Sequence, residues 1–305
     1  MAEHTSATPR WPGDGKDFRV TMGLHICDPD AWLLRGPGAD ELIANKARVL
    51  AKSHEMAVAV LPEGDAAARE AAQTIFTDVA RHTSDGAQLF DPLLASQSED
   101  EQHPLERVSR LIAEDVCIMT PHAAPDGSDA QEYRLTAAVL CAPSRWSLRE
   151  KLGTSLRSIH APVPGYESIA APSDRFFERL PVGDIMERTN WSVLSSPELF
   201  QPNSEAGRLS VADEYAETQS ETEILTNRWL RLERQTLRKM PNTGAVIFTI
   251  LTTNTRLDDL VSREPLIALQ LAHKIRTAPS DTRIYKGWPD AELMAAALES
   301  ACSAA

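Results

Sequence analysis

The chain has 305 residues, of which 42% are hydrophobic, and it carries a formal net charge of −13 with a pI near 5.1. This length and apolar content allow a large domain with a substantial core, and the acidic balance argues against a broad basic surface for nucleic acid or anionic lipid. The four cysteines form no C-x-x-C pair, no run of eighteen apolar residues occurs, and the first residues lack the apolar segment of a signal peptide. We therefore expect a cytoplasmic protein with reduced thiols, no structural zinc site and no membrane span.

The first third of the chain has a polar start followed by helical patterns. Residues 1–17 are polar and rich in Pro and Gly, so we predict a flexible N-terminus followed by a single domain over residues 18–300. Apolar residues recur at helical spacing over 39–53 and 65–82, which predicts two amphipathic helices. The polar, acidic stretch 83–101 predicts a surface loop.

The middle of the chain has the composition of β-strands. Short apolar, β-branched runs predict strands or extended segments, and the first two runs, separated by a polar turn, predict a hairpin. The predicted segments are Glu114–Met119, Tyr133–Cys141, Arg188–Leu194, Ile224–Leu232, Arg234–Leu237 and Gly244–Thr253.

Helical patterns interrupt this block and follow it. Short helices are predicted over Leu148–Ile159 and Asp174–Leu180, a polar loop over 195–222, and C-terminal helices over Pro265–Arg276 and Ala291–Ser300. Helices at both ends of a central β block predict an α+β fold in one domain.

One histidine has an unusual local sequence. His160 is followed within five residues by Pro162, Pro164 and Gly165. Each proline fixes its own φ and restricts the residue before it, so the backbone after His160 is stiff and holds the imidazole in a defined direction. An iron ligand or a proton-transfer group requires such an imidazole, although a purely structural histidine fits the same pattern.

The residues on either side of His160 combine basic and aromatic side chains. A metalloporphyrin site requires an axial nitrogen, flat apolar walls, and cations or hydrogen-bond donors for two propionates. No C-x-x-C-H occurs, so any haem would be of the b type. The alternative is that the tryptophans belong to the core and the basic residues to a solvated face. The candidates are Arg145, Trp146, Lys151, Arg188, Asn190 and Trp191.

Four strings in this region carry a resemblance to a known family. They are EDVCIM (114–119), the run APSRW…EKLG…IHAPVPGY (142–166), RTNWS (188–192), and RLERQTLRKMPNTGAVIFTI (231–250). In these strings the chain resembles the haem-dependent oxidative N-demethylase α-subunit family, over residues from about 18 to about 290.

The resemblance implies a PAS-like antiparallel sheet that cradles haem b between N- and C-terminal helices, with His160 as the axial iron ligand. It implies oxidative N-demethylation of a small methylated amine such as dimethylamine. Oxygen is activated at the haem, a methyl group is hydroxylated, and the carbinolamine decomposes to the smaller amine and formaldehyde. Electrons would come from NADPH through FMN and iron–sulfur partner subunits, tetrahydrofolate would be a possible formaldehyde acceptor, and the subunit would form a homodimer. No G-x-G-x-x-G follows a predicted strand and no cysteines cluster, so the chain fits the haem subunit alone.

A cationic amine in a buried pocket requires a carboxylate or an aromatic face. Glu233 is the candidate carboxylate. Residues 231, 233 and 235 share one face of a strand and 232 and 234 the other, so Glu233 points inwards and Arg234 outwards, or the reverse. The alternative is a surface ladder of Glu and Arg. Trp191 is a candidate wall of the haem or amine pocket, and Glu114-Asp115 is a second acidic candidate.

A PAS-like cradle does not by itself define an enzyme, because fold does not imply function. The alternative is a sensor or binding module that holds haem or another small ligand without turnover. The absence of a recognisable output domain in the sequence weakens that alternative.

Overall fold

A computed structural model describes residues 8–83, 102–124, 130–203 and 220–304. Within these ranges the chain forms seven strands and eleven α-helices, which confirms the α+β class. Most of the polar loops predicted over 83–101 and 195–222 lies outside the described residues. In the described ranges, no helix combines the length and apolar character needed to cross a membrane.

The seven strands form a single sheet in which every pair of neighbours is antiparallel. The spatial order is β1-β5-β6-β7-β3-β4-β2. The strands are β1 (His25–Ile26), β2 (Val58–Val60), β3 (Asp115–Ala123), β4 (Gln131–Val139), β5 (Ile185–Leu194), β6 (Trp229–Lys239) and β7 (Val246–Arg256).

The helices fall into three groups along the chain. The N-terminal group is α1 (Pro37–Ala57), α2 (Asp65–Arg81) and α3 (Pro104–Ser109). Between β4 and β5 lie α4 (Leu148–Lys151), α5 (Leu156–His160) and α6 (Glu167–Arg179). The C-terminal group is α7 (Glu221–Thr226), α8 (Leu257–Arg263), α9 (Pro265–Thr277), α10 (Ser280–Lys286) and α11 (Ala291–Ala304).

Most predicted elements are present, and the differences have local causes. The hairpin is confirmed as β3–β4, and the predicted 39–53 and 65–82 helices are α1 and α2. The helix predicted over Leu148–Ile159 is two short helices, because Gly153 between them has a φ of +78° and donates its N–H to the Leu135 carbonyl at 2.7 Å.

The extended segment predicted from Ile224 is wrong at its start. The residues from Glu221 to Thr226 form α7, which begins at a capping box in which the side chains of Ser220 and Glu223 each bond to the other's backbone N–H. The predicted Asp174–Leu180 helix is the C-terminal half of the longer α6.

The sheet separates two apolar layers. On one face, α1 and α2 pack on β3 and β4, and α8, α9 and α11 cover the β5–β6 end, where Val193 and Leu230 are buried among them. On the other face, a separate apolar cluster contains residues of α5 and α6 together with Leu237 and Ile250. This second layer is incompletely filled, and the space left over becomes the site described next.

Candidate functional site

A cavity of about 320 Å³ lies between the sheet and the helices that connect β4 to β5, a size typical of small-ligand sites. Strands β5, β6 and β7 form one wall, and α5, α6 and residues 20–24 form the opposite side. Seven of the ten residues proposed from the sequence line it: Arg145, Trp146, Lys151, His160, Arg188, Asn190 and Glu233. The structure therefore brings these seven residues together around one cavity, whereas their chemical roles remain predictions.

His160 is the last residue of α5, and its ring is held from two sides. Its Nδ1 lies 2.9 Å from the Leu156 carbonyl oxygen, so Nδ1–H donates and Nε2 is the nitrogen left for a ligand. The ring stacks on Tyr166 with centroids 4.8 Å apart and planes at 15°. Gly165, at a φ of +77°, allows the turn that returns Tyr166 to this position.

The protonation state of His160 follows from its surroundings. Burial lowers its pKa below the ordinary value of 6.5, and the bond to Leu156 offsets this in part, while Arg188 and Lys151 lower it further. The imidazole is therefore neutral at pH 7, which is the form that binds iron. Metal-bound histidines usually donate their other ring N–H to a carbonyl or carboxylate in this way, which fixes the tautomer and the orientation of the ring.

Four cationic side chains line the cavity with this neutral histidine. Arg145 is buried, has a φ of +58°, and donates from Nη1 to the Lys286 carbonyl at 2.9 Å. The buried Nε of Arg188 has no hydrogen-bond partner within the described ranges. Burial lowers the pKa of Arg188, an effect that Glu233 opposes. Lys151 and Lys286 complete the set.

Glu233 is the one carboxylate among the described lining residues. Arg231 Nε donates to Glu233 Oε1 at 3.0 Å, while Asn190 Nδ2 and Gln235 Nε2 donate to Oε2 at 3.3 and 3.2 Å. Asn190 is its direct cross-strand neighbour. Glu233 is only 8% exposed, so the alternative of a surface ladder is wrong.

Trp191 is one of the proposed residues that do not line this cavity. Successive strand residues point to opposite faces, so Asn190 and Ser192 line the cavity while Trp191 packs elsewhere. Its ring stacks on Trp288 at 5.5 Å and contacts Trp11 at 5.2 Å. Trp191 lines a neighbouring cavity instead, and its role as a wall of a haem or amine pocket stays a prediction.

The second acidic candidate is structural. Glu114 accepts the Leu34 N–H at 2.7 Å, and Asp115 accepts the Ala142 N–H at 2.6 Å. Neither lines the cavity. Lys46 donates to three backbone carbonyls beside them, those of Ser109, Ile112 and Glu114.

Three cavity features were not foreseen from the sequence. Gln235 lies on the same strand face as Glu233, so strand alternation would have predicted that the two residues line the same cavity. Tyr285 and Lys286 belong to α10, and no local sequence pattern predicts that they line the cavity. Residues 20–24 line the cavity because the segment before them is bonded to α9: Trp11 to Gln270 at 2.8 Å and Phe18 to Thr277 at 2.9 Å.

These residues fit a haem. Four cations against one carboxylate leave a positive excess suited to two propionates, and the buried Nε–H of Arg188 has no partner within the described ranges. Leu237, Phe176 and Phe248 supply apolar wall. Within the described ranges no three His, Cys, Asp or Glu side chains group as metal ligands, and a single histidine holds iron when a porphyrin supplies the other ligands.

A sequence model of one family matches most of the chain. The family is described as haem-dependent oxidative N-demethylase, alpha subunit-like, and the match covers residues 23–294. That range includes every residue proposed for the site and both walls of the cavity apart from residues 20–22. The chain therefore belongs to the haem-dependent oxidative N-demethylase α-subunit-like family.

Proposed function

We propose that the chain binds haem b in this cavity through His160 and catalyses oxidative N-demethylation of a small methylated amine such as dimethylamine. The family supports haem dependence and N-demethylase-like activity. The observation that carries the proposal is a neutral, stacked imidazole with Nε2 available, in a cavity that also holds the unpaired Nε–H of Arg188 and a buried carboxylate. We infer that the sheet with α4 to α6 over one face is the expected PAS-like cradle.

In the proposal, His160 supplies the axial nitrogen, and Arg145, Lys151 and Arg188 hold the propionates, with Asn190 as a further hydrogen-bond donor. Trp146 contributes flat apolar surface to the cavity wall. When bound, haem supplies the activation of O2 for hydroxylation of a methyl group. The protein excludes bulk water around the reacting atoms through its apolar wall, which strengthens every electrostatic interaction within the cavity.

Glu233 is proposed to bind the amine. A secondary amine is cationic at neutral pH, and an ionised carboxylate offers about four acceptor positions. Arg231, Asn190 and Gln235 occupy three of them, so one position remains for the substrate N–H. The three donors also fix the carboxylate in place, so the amine nitrogen is oriented rather than merely attracted.

The electron supply belongs to other subunits in this proposal. An alpha-subunit-like family implies partner subunits, and the resemblance suggests NADPH as the electron source, with FMN and iron–sulfur centres in those partners. A cytoplasmic location, a homodimer of this subunit and tetrahydrofolate as formaldehyde acceptor are proposed on the same resemblance.

Turnover tests the proposal. Haem-loaded protein is supplied with a chemical or enzymatic electron donor, O2 and dimethylamine, and formaldehyde and methylamine are measured. Equal amounts of the two products support N-demethylation. Protein that binds O2 or CO after reduction yet yields no formaldehyde from any methylated amine refutes the enzyme and favours the sensor alternative.

A further inference from the structure

The hydroxyl of Tyr166 is a buried polar group in the wall of the cavity that His160 lines. In the part of the chain that the structure describes, two buried side-chain atoms in this wall lack a hydrogen bond, namely Arg188 Nε and the Tyr166 hydroxyl. Buried polar groups in native proteins are almost always hydrogen-bonded. The Tyr166 hydroxyl therefore indicates an acceptor on a molecule that occupies the cavity.

The fold holds this hydroxyl in one place. Gly165, with a φ of +77°, precedes Tyr166, and the Tyr166 N–H donates to the Val163 carbonyl at 3.1 Å. The phenol ring stacks on the His160 imidazole with centroids 4.8 Å apart, and Tyr166 is only 6% exposed. The backbone turn and the stacked ring together leave the phenol little freedom, so its O–H is a preorganised donor.

The side chains around the phenol are engaged with other partners. Burial raises the pKa of Tyr166 and the neighbouring Ser173 opposes this, so the phenol keeps its proton at pH 7. The Ser173 hydroxyl, however, donates to a backbone carbonyl of α6 at 2.7 Å. Arg157 donates to Glu167 at 3.3 Å and to Asp174 at 3.1 Å, so the charges near the phenol pair with one another. The phenol O–H is left as a donor that no described residue satisfies.

In the proposed function the occupant of this cavity is haem b, whose chemistry limits where a donor can bind. The pyrrole nitrogens of haem bind the iron, its methyl and vinyl groups are apolar, and its two propionates carry the peripheral oxygen acceptors. We propose that Tyr166 is a haem-binding residue whose hydroxyl donates to a propionate while its ring supports the axial His160 imidazole. The inference rests on the proposed binding of haem through His160. Tyr166 thereby ties the carboxylates of the haem to the residue that holds its iron.

Replacement Tyr166→Phe separates the hydroxyl from the ring. It removes the donor and keeps the stack on His160, so the Soret band should stay in place. Loss of one hydrogen bond to a charged acceptor should raise the hemin Kd about tenfold. The haem-free variant should be as stable as the wild type or more so, because a buried hydroxyl without a partner is removed. A hydroxyl with a purely structural role would lower the thermal midpoint on removal instead.

The experiment compares hemin with hemin dimethyl ester, in which both carboxylates are blocked. The Kd of each is measured by absorbance for the wild type and for Tyr166→Phe, and the thermal midpoint of each haem-free protein is recorded. Tyr133→Phe is the matched control: Tyr133 is also buried, at 3% exposed, but its hydroxyl donates to the Gly244 carbonyl at 3.4 Å and it does not line the cavity. The control should bind both hemins as the wild type does.

The outcomes separate this inference from the function on which it rests. Tyr166→Phe should bind hemin about tenfold more weakly than the wild type, and the dimethyl ester almost as well as the wild type does. Equal weakening with both hemins, or no weakening with either, overturns the inference while the haem site stands. Unchanged hemin affinity with weaker dimethylamine binding also overturns it, because the hydroxyl would then serve the amine. If the folded wild type binds hemin no better than folded His160→Ala, the proposed haem site fails, and this inference fails with it.

Discussion

Replacement of Glu233 by glutamine removes one charge and leaves the side-chain shape nearly unchanged. Three donors meet this carboxylate, from Arg231, Asn190 and Gln235. A hydrogen bond to a charged group contributes about 1.5–3 kcal/mol, so the loss should raise the Kd for dimethylamine by about 10- to 150-fold. The fold should survive, because the Arg231 guanidinium keeps its bonds to the Leu199 and Ala142 carbonyls.

The assay is a spectral titration of the haem-loaded protein with dimethylamine, beside chemical unfolding of the same samples. Glu132→Gln is the matched control: Glu132 also accepts from an arginine two positions away on a strand, Arg134 at 2.8 Å, but it does not line the cavity. The control should bind the amine as the wild type does. If Glu233→Gln retains full haem and unchanged amine affinity, the assignment of Glu233 is refuted.

Further expectations follow from other contacts. Arg188→Met should raise the hemin Kd about tenfold while leaving the thermal midpoint of the haem-free protein unchanged or higher, because it removes a half-buried cation whose Nε has no hydrogen-bond partner within the described ranges; a lower midpoint with unchanged hemin affinity would contradict this. Trp191→Ala should destabilise the fold by about 2–4 kcal/mol in urea unfolding with little change in the Soret position, because Trp191 packs on Trp288 outside the cavity that His160 lines. A large shift of the Soret band would instead indicate that Trp191 lies beside the haem. Lys46→Met should cost about 3–5 kcal/mol of unfolding free energy, because three carbonyl acceptors and Asp115 lose their cation, and a neutral result in the same assay would count against this. The depressed pKa of His160 means that the unfolded state binds more protons just below pH 6.5, so haem-free stability should fall as the pH decreases through that range and His160→Ala should flatten the slope; equal slopes in both proteins would refute it.

The parts of the site that could be predicted are those with a signal in the sequence immediately around them. His160 is marked by the prolines that follow it. Strand alternation groups Glu233 with residues 231 and 235, but the direction in which that face points could not be chosen before tertiary contacts were known. The same alternation explains why Trp191 does not line the cavity that Asn190 lines. Asn190 and Trp191 are adjacent in sequence, and only the pairing of β5 with β6 decides which of them faces the cavity.

The parts that could not be predicted depend on long-range packing. Lys286 reaches the cavity from α10 because Arg145 bonds to its carbonyl across 141 residues, and no local spacing encodes that contact. Residues 20–24 form part of the wall because Trp11 and Phe18 are bonded to α9, some 259 residues further along the chain. Helix α7 was missed because its apolar residues suit a strand, and the Ser220–Glu223 capping box decides for the helix.

The central claim is that His160 holds the iron of a b-type haem. The most direct measurement is the absorption spectrum of the purified protein and of His160→Ala, each reconstituted with hemin, with circular dichroism to show that both are folded. We predict a Soret band in the wild type and loss of haem retention in the folded variant, because Nε2 of His160 is the nitrogen left for a ligand. A folded His160→Ala protein that retains the wild-type spectrum would contradict the account.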